Sequence, residues 1–131
     1  MVAIGDFTLG RGDEERDLVL RALVPQLAEC AQRTRMIGTS AMDLVLVADG
    51  GFDASVTLAN RDWDMAAGVV IAREAGARVT DADGREHTTA SLATIVAAPA
   101  VHDELLTVVR EAARGSRYAA APGLSNATEP R

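Results

Sequence analysis

The chain contains little cysteine and few aromatic residues. Its 131 residues include one cysteine, so no disulfide can form within the chain. Aromatic residues make up 3% of the chain while hydrophobic residues make up 48%, so the core must be built from Ala, Val, Leu and Ile. This composition indicates a single globular domain with a modest aliphatic core. We expect Cys30 to lie on an apolar helix face, as a small buried hydrophobe rather than a reactive thiol.

Long hydrophobic runs, a signal-peptide pattern and clusters of basic residues are also missing. The longest apolar stretch, Leu92 to Val101, contains Pro99 and is too short to cross a membrane. The first residues do not show a basic region followed by an apolar one. The net charge is −6, from 13 basic and 19 acidic side chains, and no basic run could follow a phosphate backbone. We therefore expect a cytoplasmic protein that binds neither a membrane nor nucleic acid.

The hydrophobic pattern alternates between strand-like and helix-like segments. Strands are predicted over residues 2–7, 34–37, 52–58, 78–81 and 92–98, and helices over 13–32, 40–48, 101–113 and from Trp63 to a stop at Gly76. This order predicts an α/β fold in which helices cover both faces of a layered mixed sheet. Pro25 should kink or break the first helix near Val24. Residues 1–113 would form the domain, and 114–131, which lack periodicity, a disordered tail.

The segment Trp63–Gly68 (WDMAAG) is the most informative part of the chain. It follows a possible helix cap, Asp62, and its apolar spacing predicts a buried helix face formed by Trp63, Ala66, Ala67, Val70 and Ile71. Asp64 then lies in the first turn, where free N–H groups and the helix dipole favour a carboxylate. Such a carboxylate could bind a hard cation, with the small residues after it leaving room for close approach. The residues alone favour the simpler interpretation that Asp64 stabilises its own helix.

Three segments together resemble the inositol monophosphatase family, a family of magnesium-dependent, lithium-sensitive phosphomonoesterases. Trp63–Gly68, with Glu74-Ala75-Gly76 after it, resembles the C-terminal signature of that family. Gly38–Leu44 (GTSAMDL) and Val47–Ala54 (VADGGFDA) are similar to the blocks that precede it, in the same order. The resemblance extends from about Val2 to Ala113. It implies that the chain has the fold of the C-terminal domain of the family's layered α/β sandwich.

The resemblance also implies a set of site residues. Asp64 would bind Mg²⁺, and the segment Gly38, Thr39 and Ser40 would lie beside the sugar or cyclitol of a small phosphomonoester substrate. A strand-to-helix turn, with Ser40 as a cap and Asp43 completing a capping box, explains that segment equally well. Thr57 occupies the position of an acid that binds ring hydroxyls in inositol-selective members. Because threonine cannot accept a charge-assisted hydrogen bond, inositol is in doubt, and related sugar or alcohol phosphates remain open.

Two parts of the family's metal site are missing from the sequence. No Asp-Pro-(Ile/Leu)-Asp-Gly-Thr motif occurs, nor do we find the Glu that the family carries further upstream. The resemblance therefore describes the C-terminal half of an enzyme in which a metal-activated water attacks phosphorus in line. We expect this chain alone to bind Mg²⁺ weakly and to have negligible phosphatase activity. A second copy or a complementary N-terminal half could complete it. The alternative is a non-catalytic α/β interaction or subunit domain.

Overall fold

The computed structural model describes residues 1–59 and 62–119, apart from the side chains of Asp62 and Asp64. The strands are β1 (Val2–Ile4), β2 (Thr34–Arg35), β3 (Ala54–Thr57), β4 (Arg78–Thr80) and β5 (Thr94–Ala97). The helices are α1 (Glu14–Cys30), α2 (Ser40–Ala48), α3 (Asp62–Glu74) and α4 (Pro99–Ala113). The predicted alternation of strands and helices is confirmed, although each strand is shorter than predicted because its ends lie in connecting loops.

The strands form one mixed sheet in the order β2-β1-β3-β5-β4. β1 runs parallel to both β2 and β3, with Ile4 opposite Val56. β5 runs antiparallel to β3 and β4. Alternate residues of a strand point to opposite faces, so the sheet has two buried faces to cover. The predicted α/β fold class is confirmed.

Helices cover both faces of this sheet. On one face α1 and α4 pack together, and their leucines and valines meet strand residues such as Ile4, Val56 and Ile95. On the other face α2 and α3 pack together, and Leu44 and Val69 belong to a second core cluster. Both clusters are almost entirely aliphatic, as the composition predicts. In the described part of the chain, no helix combines the length and the apolar composition needed to cross a bilayer.

The first helix differs from its prediction in two respects. It continues across the exposed Pro25 without the predicted break, while a kink near Val24 stays a prediction. Cys30 is exposed, so the prediction of a buried thiol was wrong. The buried stripe of the helix passes through Leu20, Leu23 and Leu27 and ends there. Cys30 lies on the last turn beyond it, and its Sγ is 3.4 Å from the Gln26 carbonyl oxygen.

The buried face of α3 is also different from the predicted one. Trp63 is 79% exposed, and Val70 and Ile71 are exposed as well. The side that meets the core consists of Met65, Gly68, Val69 and Ala72. Apolar residues occur around most of this helix, so its periodicity alone could not indicate which side faces the sheet. Gly76 ends the helix as predicted, with φ +92° and its N–H bonded to the Arg73 carbonyl.

Residues 114–119 follow α4 as a short segment packed on the domain. Tyr118 is 3% exposed, and its hydroxyl donates a 2.7 Å hydrogen bond to the carbonyl of Leu58, just after β3. Arg117 forms ion pairs with Asp13 and Glu15 at the start of α1. We refer to residues 114–119 as the strap. The sequence placed these residues in the tail, and residues 120–131 lie outside the described part of the chain.

Candidate functional site

The candidate site lies at the carboxyl ends of the parallel strands. β1, β2 and β3 end at the same edge of the sheet because they run in the same direction. The chain leaves β1 for α1 on one face and leaves β2 for α2 on the opposite face. In open α/β sheets, connections that diverge in this way leave a crevice in which ligands bind. The Gly38–Ser40 turn follows β2 and Thr57 ends β3, so the fold brings these separate segments to one edge.

A cavity of about 90 Å³ lies at this edge. Ser40 and Thr57, two of the predicted site residues, both line it. The remaining lining residues come from the ends of β1 and β3 and from α1: Gly5, Asp6, Arg16, Leu20, Leu58 and Ala59. We refer to this space as the edge cavity. The structure thus joins Ser40 and Thr57 to two charged residues, Asp6 and Arg16, that sequence reasoning missed.

The Gly38–Ser40 turn adjoins the same cavity. Gly38 has φ +89°, a left-handed conformation that favours glycine, and a Cβ at this position would be 3.4 Å from Oδ2 of Asp6. Thr39, rather than Ser40, is the N-cap of α2, and its side chain makes no capping hydrogen bond. The predictions that Ser40 caps the helix and that Asp43 completes a capping box were therefore wrong. Both residues lie within the helix itself, and Ser40 lines the cavity from its first turn.

Asp43 is buried, although it is an acid on the first turn of α2. It is 2% exposed, and its Oδ1 has no hydrogen-bond partner in the part of the chain that the structure describes. Burial raises the pKa of Asp43 from its ordinary value of 3.8 to about 6, and the negative charge of Asp6 acts in the same direction. At neutral pH the ionised carboxylate of Asp43 therefore destabilises the folded protein, at a cost in free energy of unfolding. Since one pKa unit corresponds to about 1.4 kcal/mol, that cost is up to about 3 kcal/mol.

This burial predicts a pH-dependent effect of Asp43→Asn. The folded-state pKa of about 6 exceeds the ordinary 3.8, so the folded protein binds the proton more tightly, and wild-type stability falls as pH rises through this interval. Asparagine carries no such penalty. The free energy of unfolding of the variant, relative to wild type, should increase by about 2 kcal/mol between about pH 3.5 and about pH 7.5. Urea titrations at both pH values measure this difference, and an equal difference at both would contradict it.

Asp64 is the third residue of α3, in the first turn as predicted, and its side chain lies outside the described residues. The turn follows β3 through Leu58 and Ala59, so it leaves the sheet at the edge that carries the edge cavity. Among the side chains that the structure describes, no three carboxylate, imidazole or thiol groups come together as a metal-binding cluster. Mg²⁺ requires near-octahedral oxygen ligation. The described residues thus do not by themselves fit a bound magnesium ion.

Comparison with known proteins gives the family of this chain. The model of the inositol monophosphatase family matches residues 8–114. A probable inositol 1-monophosphatase, ImpA, of Mycobacterium tuberculosis is 33% identical over 109 residues, which are 83% of this chain and 40% of that protein. A fructose-1,6-bisphosphatase/inositol-1-monophosphatase of Thermotoga maritima is 35% identical over 88 residues, covering 67% of this chain and 34% of that protein.

A solved structure agrees with these sequence matches. The chain superposes on an IMPase of Thermotoga maritima with a TM-score of 0.73 at 30% identity, covering 85% of this chain and 40% of that one. The chain therefore spans well under half the length of the relatives that it matches. The family match over residues 8–114 includes β2 to β5 and all four helices. The chain belongs to the inositol monophosphatase family.

Proposed function

We propose that this chain is the C-terminal part of a magnesium-dependent phosphatase that hydrolyses a small phosphomonoester. The family match over residues 8–114 carries this proposal. The fold supports it, because the Gly38–Ser40 turn, Thr57 and the first turn of α3 leave the sheet at one edge. Asp64 would contribute one ligand to Mg²⁺, and Ser40 and Thr57 would contact the substrate. In the whole site, magnesium would activate the attacking water and stabilise the leaving oxygen.

The substrate that we propose is a sugar or alcohol phosphate. The Thermotoga maritima relative carries the names of two activities, one on fructose 1,6-bisphosphate and one on inositol 1-phosphate. Thr57 is 5% exposed, and it provides a hydroxyl where inositol-selective members are expected to carry an acid. A hydroxyl makes weaker hydrogen bonds to substrate than a carboxylate does. This substitution supports a substrate other than inositol monophosphate alone.

We further propose that a second polypeptide surface completes the site, either from a complementary N-terminal half or from another copy of this chain. Support comes from the side of the domain formed by α2 and α3. Five large apolar side chains are exposed on these helices, namely Met42, Val45, Trp63, Val70 and Ile71. Exposed apolar side chains in such number are typical of an interaction surface.

A non-catalytic interaction or subunit domain is the second candidate function. It is favoured by the exposed apolar side chains of α2 and α3, which suit contact with a partner. A domain with this role would keep the fold and the exposed apolar residues of α2 and α3 but would not need Asp64. The two candidate functions predict different effects of removing the Asp64 carboxylate. Its removal should abolish phosphatase activity if the chain is part of an enzyme, and should have no effect on activity if the chain is an interaction domain.

An activity assay distinguishes these possibilities. The purified chain is incubated with inositol, fructose and other sugar phosphates, with and without Mg²⁺, alongside Asp64→Asn. We expect no turnover above that of the variant, because one carboxylate cannot hold the ion as the reaction requires. Adding the upstream region of a family relative as a separate polypeptide should then restore magnesium-dependent turnover to wild type but not to Asp64→Asn. Equal turnover in both mixtures would contradict the assignment of Asp64.

A further inference from the structure

Two charged side chains of the edge cavity have unused hydrogen-bonding capacity. Among the residues that the structure describes, the buried Nε of Arg16 has no hydrogen-bond partner, and Nη2 donates a 3.4 Å hydrogen bond to the Asp6 carbonyl oxygen. Asp6 is exposed, and its carboxylate accepts no hydrogen bond from any residue that the structure describes. A buried N–H without a partner costs free energy unless a ligand or water satisfies it. The cavity therefore places a buried donor without a partner beside a carboxylate that can accept hydrogen bonds.

A hydroxyl group is the ligand that complements this pair. It can accept a hydrogen bond from the Nε–H of Arg16 and donate one to the carboxylate of Asp6. Because both partners are charged, these hydrogen bonds are stronger than those between neutral groups. The volume of about 90 Å³ has room for several water molecules, or for adjacent hydroxyl groups of a small polyol. Ser40 and Thr57 add two further hydroxyls to the walls.

The position of Asp6 relates it directly to Thr57. Ile4 lies opposite Val56 in the parallel pairing of β1 and β3, and the N–H of Gly5 donates a 3.1 Å hydrogen bond to the Val56 carbonyl. The same register places Gly5 beside Thr57, the last residue of β3, and Asp6 one residue further along. Asp6, in the segment that follows β1, can therefore supply the carboxylate that position 57 lacks. The Gly38 turn passes close to this carboxylate, since a Cβ at Gly38 would lie 3.4 Å from Oδ2 of Asp6, in van der Waals contact.

We propose that the edge cavity is a polyol subsite in which Asp6 accepts hydrogen bonds from substrate hydroxyls and Arg16 donates one to them. Asp6 then determines specificity, in place of an acid at position 57, and selects phosphomonoesters that carry adjacent hydroxyl groups. The inference rests on the proposed function, because it concerns the substrate of the same site. It adds two residues that the family resemblance did not assign.

Ligand-observed NMR with the full chain tests this subsite, because saturation transfer detects weak binding without turnover. The two probes are inositol monophosphate and ethyl phosphate, which carries the same ester but no further hydroxyl. Asp6→Asn should weaken binding of inositol monophosphate about tenfold, the loss expected for one charge-assisted hydrogen bond, and change that of ethyl phosphate less than about twofold. Asp103→Asn is the matched control, since this exposed acid on α4 pairs with Arg78 of β4, far from β1.

A compensating variant separates a subsite from a merely structural effect. Thr57→Glu, added to Asp6→Asn, returns a carboxylate to the same cavity and should restore most of the affinity for inositol monophosphate. If Asp6→Asn binds inositol monophosphate as tightly as wild type does, the inference is overturned. The proposed function still stands in that case if, with Mg²⁺ present, Asp64→Asn binds either probe more weakly than wild type does. Equal losses for both probes would also overturn it, because Asp6 would then act on the phosphate or the fold. If neither probe binds wild type, the subsite is overturned, while the proposed function is decided separately by the complementation assay with the upstream region.

Discussion

Replacing Gly68 by valine is expected to lower the free energy of unfolding by about 3 kcal/mol, at the upper end of what overpacking costs. A Cβ at Gly68 would lie 2.4 Å from Cδ1 and 3.0 Å from Cβ of Leu44. Leu44 is 1% exposed and belongs to the core between α2, α3 and the sheet, so it cannot move aside without opening that core. Urea denaturation followed by circular dichroism measures the loss.

Gly68→Ala makes this test sharper, because alanine is the better helix former by about 1 kcal/mol. Without the contact to Leu44 it should stabilise α3, and with the contact it should destabilise the protein. Ala67→Val is the control, since Ala67 is exposed on the same helix and valine there should cost only a few tenths of a kcal/mol. Leu44→Ala should remove much of the effect of Gly68→Ala. A stabilised Gly68→Ala variant would contradict the close packing of the two helices.

Tyr118→Ala is expected to cost about 3 kcal/mol, because it removes a buried aromatic ring from the larger core. Tyr118→Phe should cost about 1 kcal/mol, since the ring remains while the Leu58 carbonyl loses its hydrogen bond. Both values are differences in the free energy of unfolding from urea titrations. The same hydrogen bond ties the strap to the segment between β3 and α3.

Arg114→Ala provides the control for the strap. Arg114 is at the start of the strap and pairs only with Glu111 among the described residues, through side chains that are 78% and 53% exposed. Its removal should change stability by less than about 0.5 kcal/mol. If Tyr118→Ala also changed the free energy of unfolding by less than about 0.5 kcal/mol, residues 114–119 would not be part of the folded domain. That outcome would return them to the tail that the sequence predicts.

Much of the fold follows from local sequence patterns. The alternation of aliphatic strands with amphipathic segments predicts an α/β sheet covered on both faces, and Gly76 marks the end of α3 where a left-handed residue is needed. The exposed side of α3 could not be predicted in this way, because Trp63 and Val70 are as apolar as the residues that face the core. The choice of face depends on the contact of Gly68 with Leu44, which belongs to another helix.

The site was predictable to the extent that it follows known motifs. The Gly38–Ser40 turn, Thr57 and Asp64 were found in the sequence, and the fold brings the first two to one cavity edge while the role of Asp64 remains a prediction. Asp6 and Arg16 carry no motif. Their position depends on the register of β1 against β3 and on the packing of α1, and neither is visible in a single sequence. Asp43 likewise has the sequence position of an ordinary first-turn acid, and only its burial sets it apart.

The most direct test of this account is cation binding at Asp64. Trp63 is the only tryptophan of the chain and precedes Asp64, so excitation of its indole can sensitise Tb³⁺ bound beside it. We expect wild type to show saturable Tb³⁺ luminescence that Mg²⁺ displaces weakly, with a dissociation constant on the order of 1 mM. Asp64→Asn should lose the signal and Asp103→Asn should keep it. An identical titration in wild type and Asp64→Asn would show that Asp64 is not a metal ligand and would contradict the account.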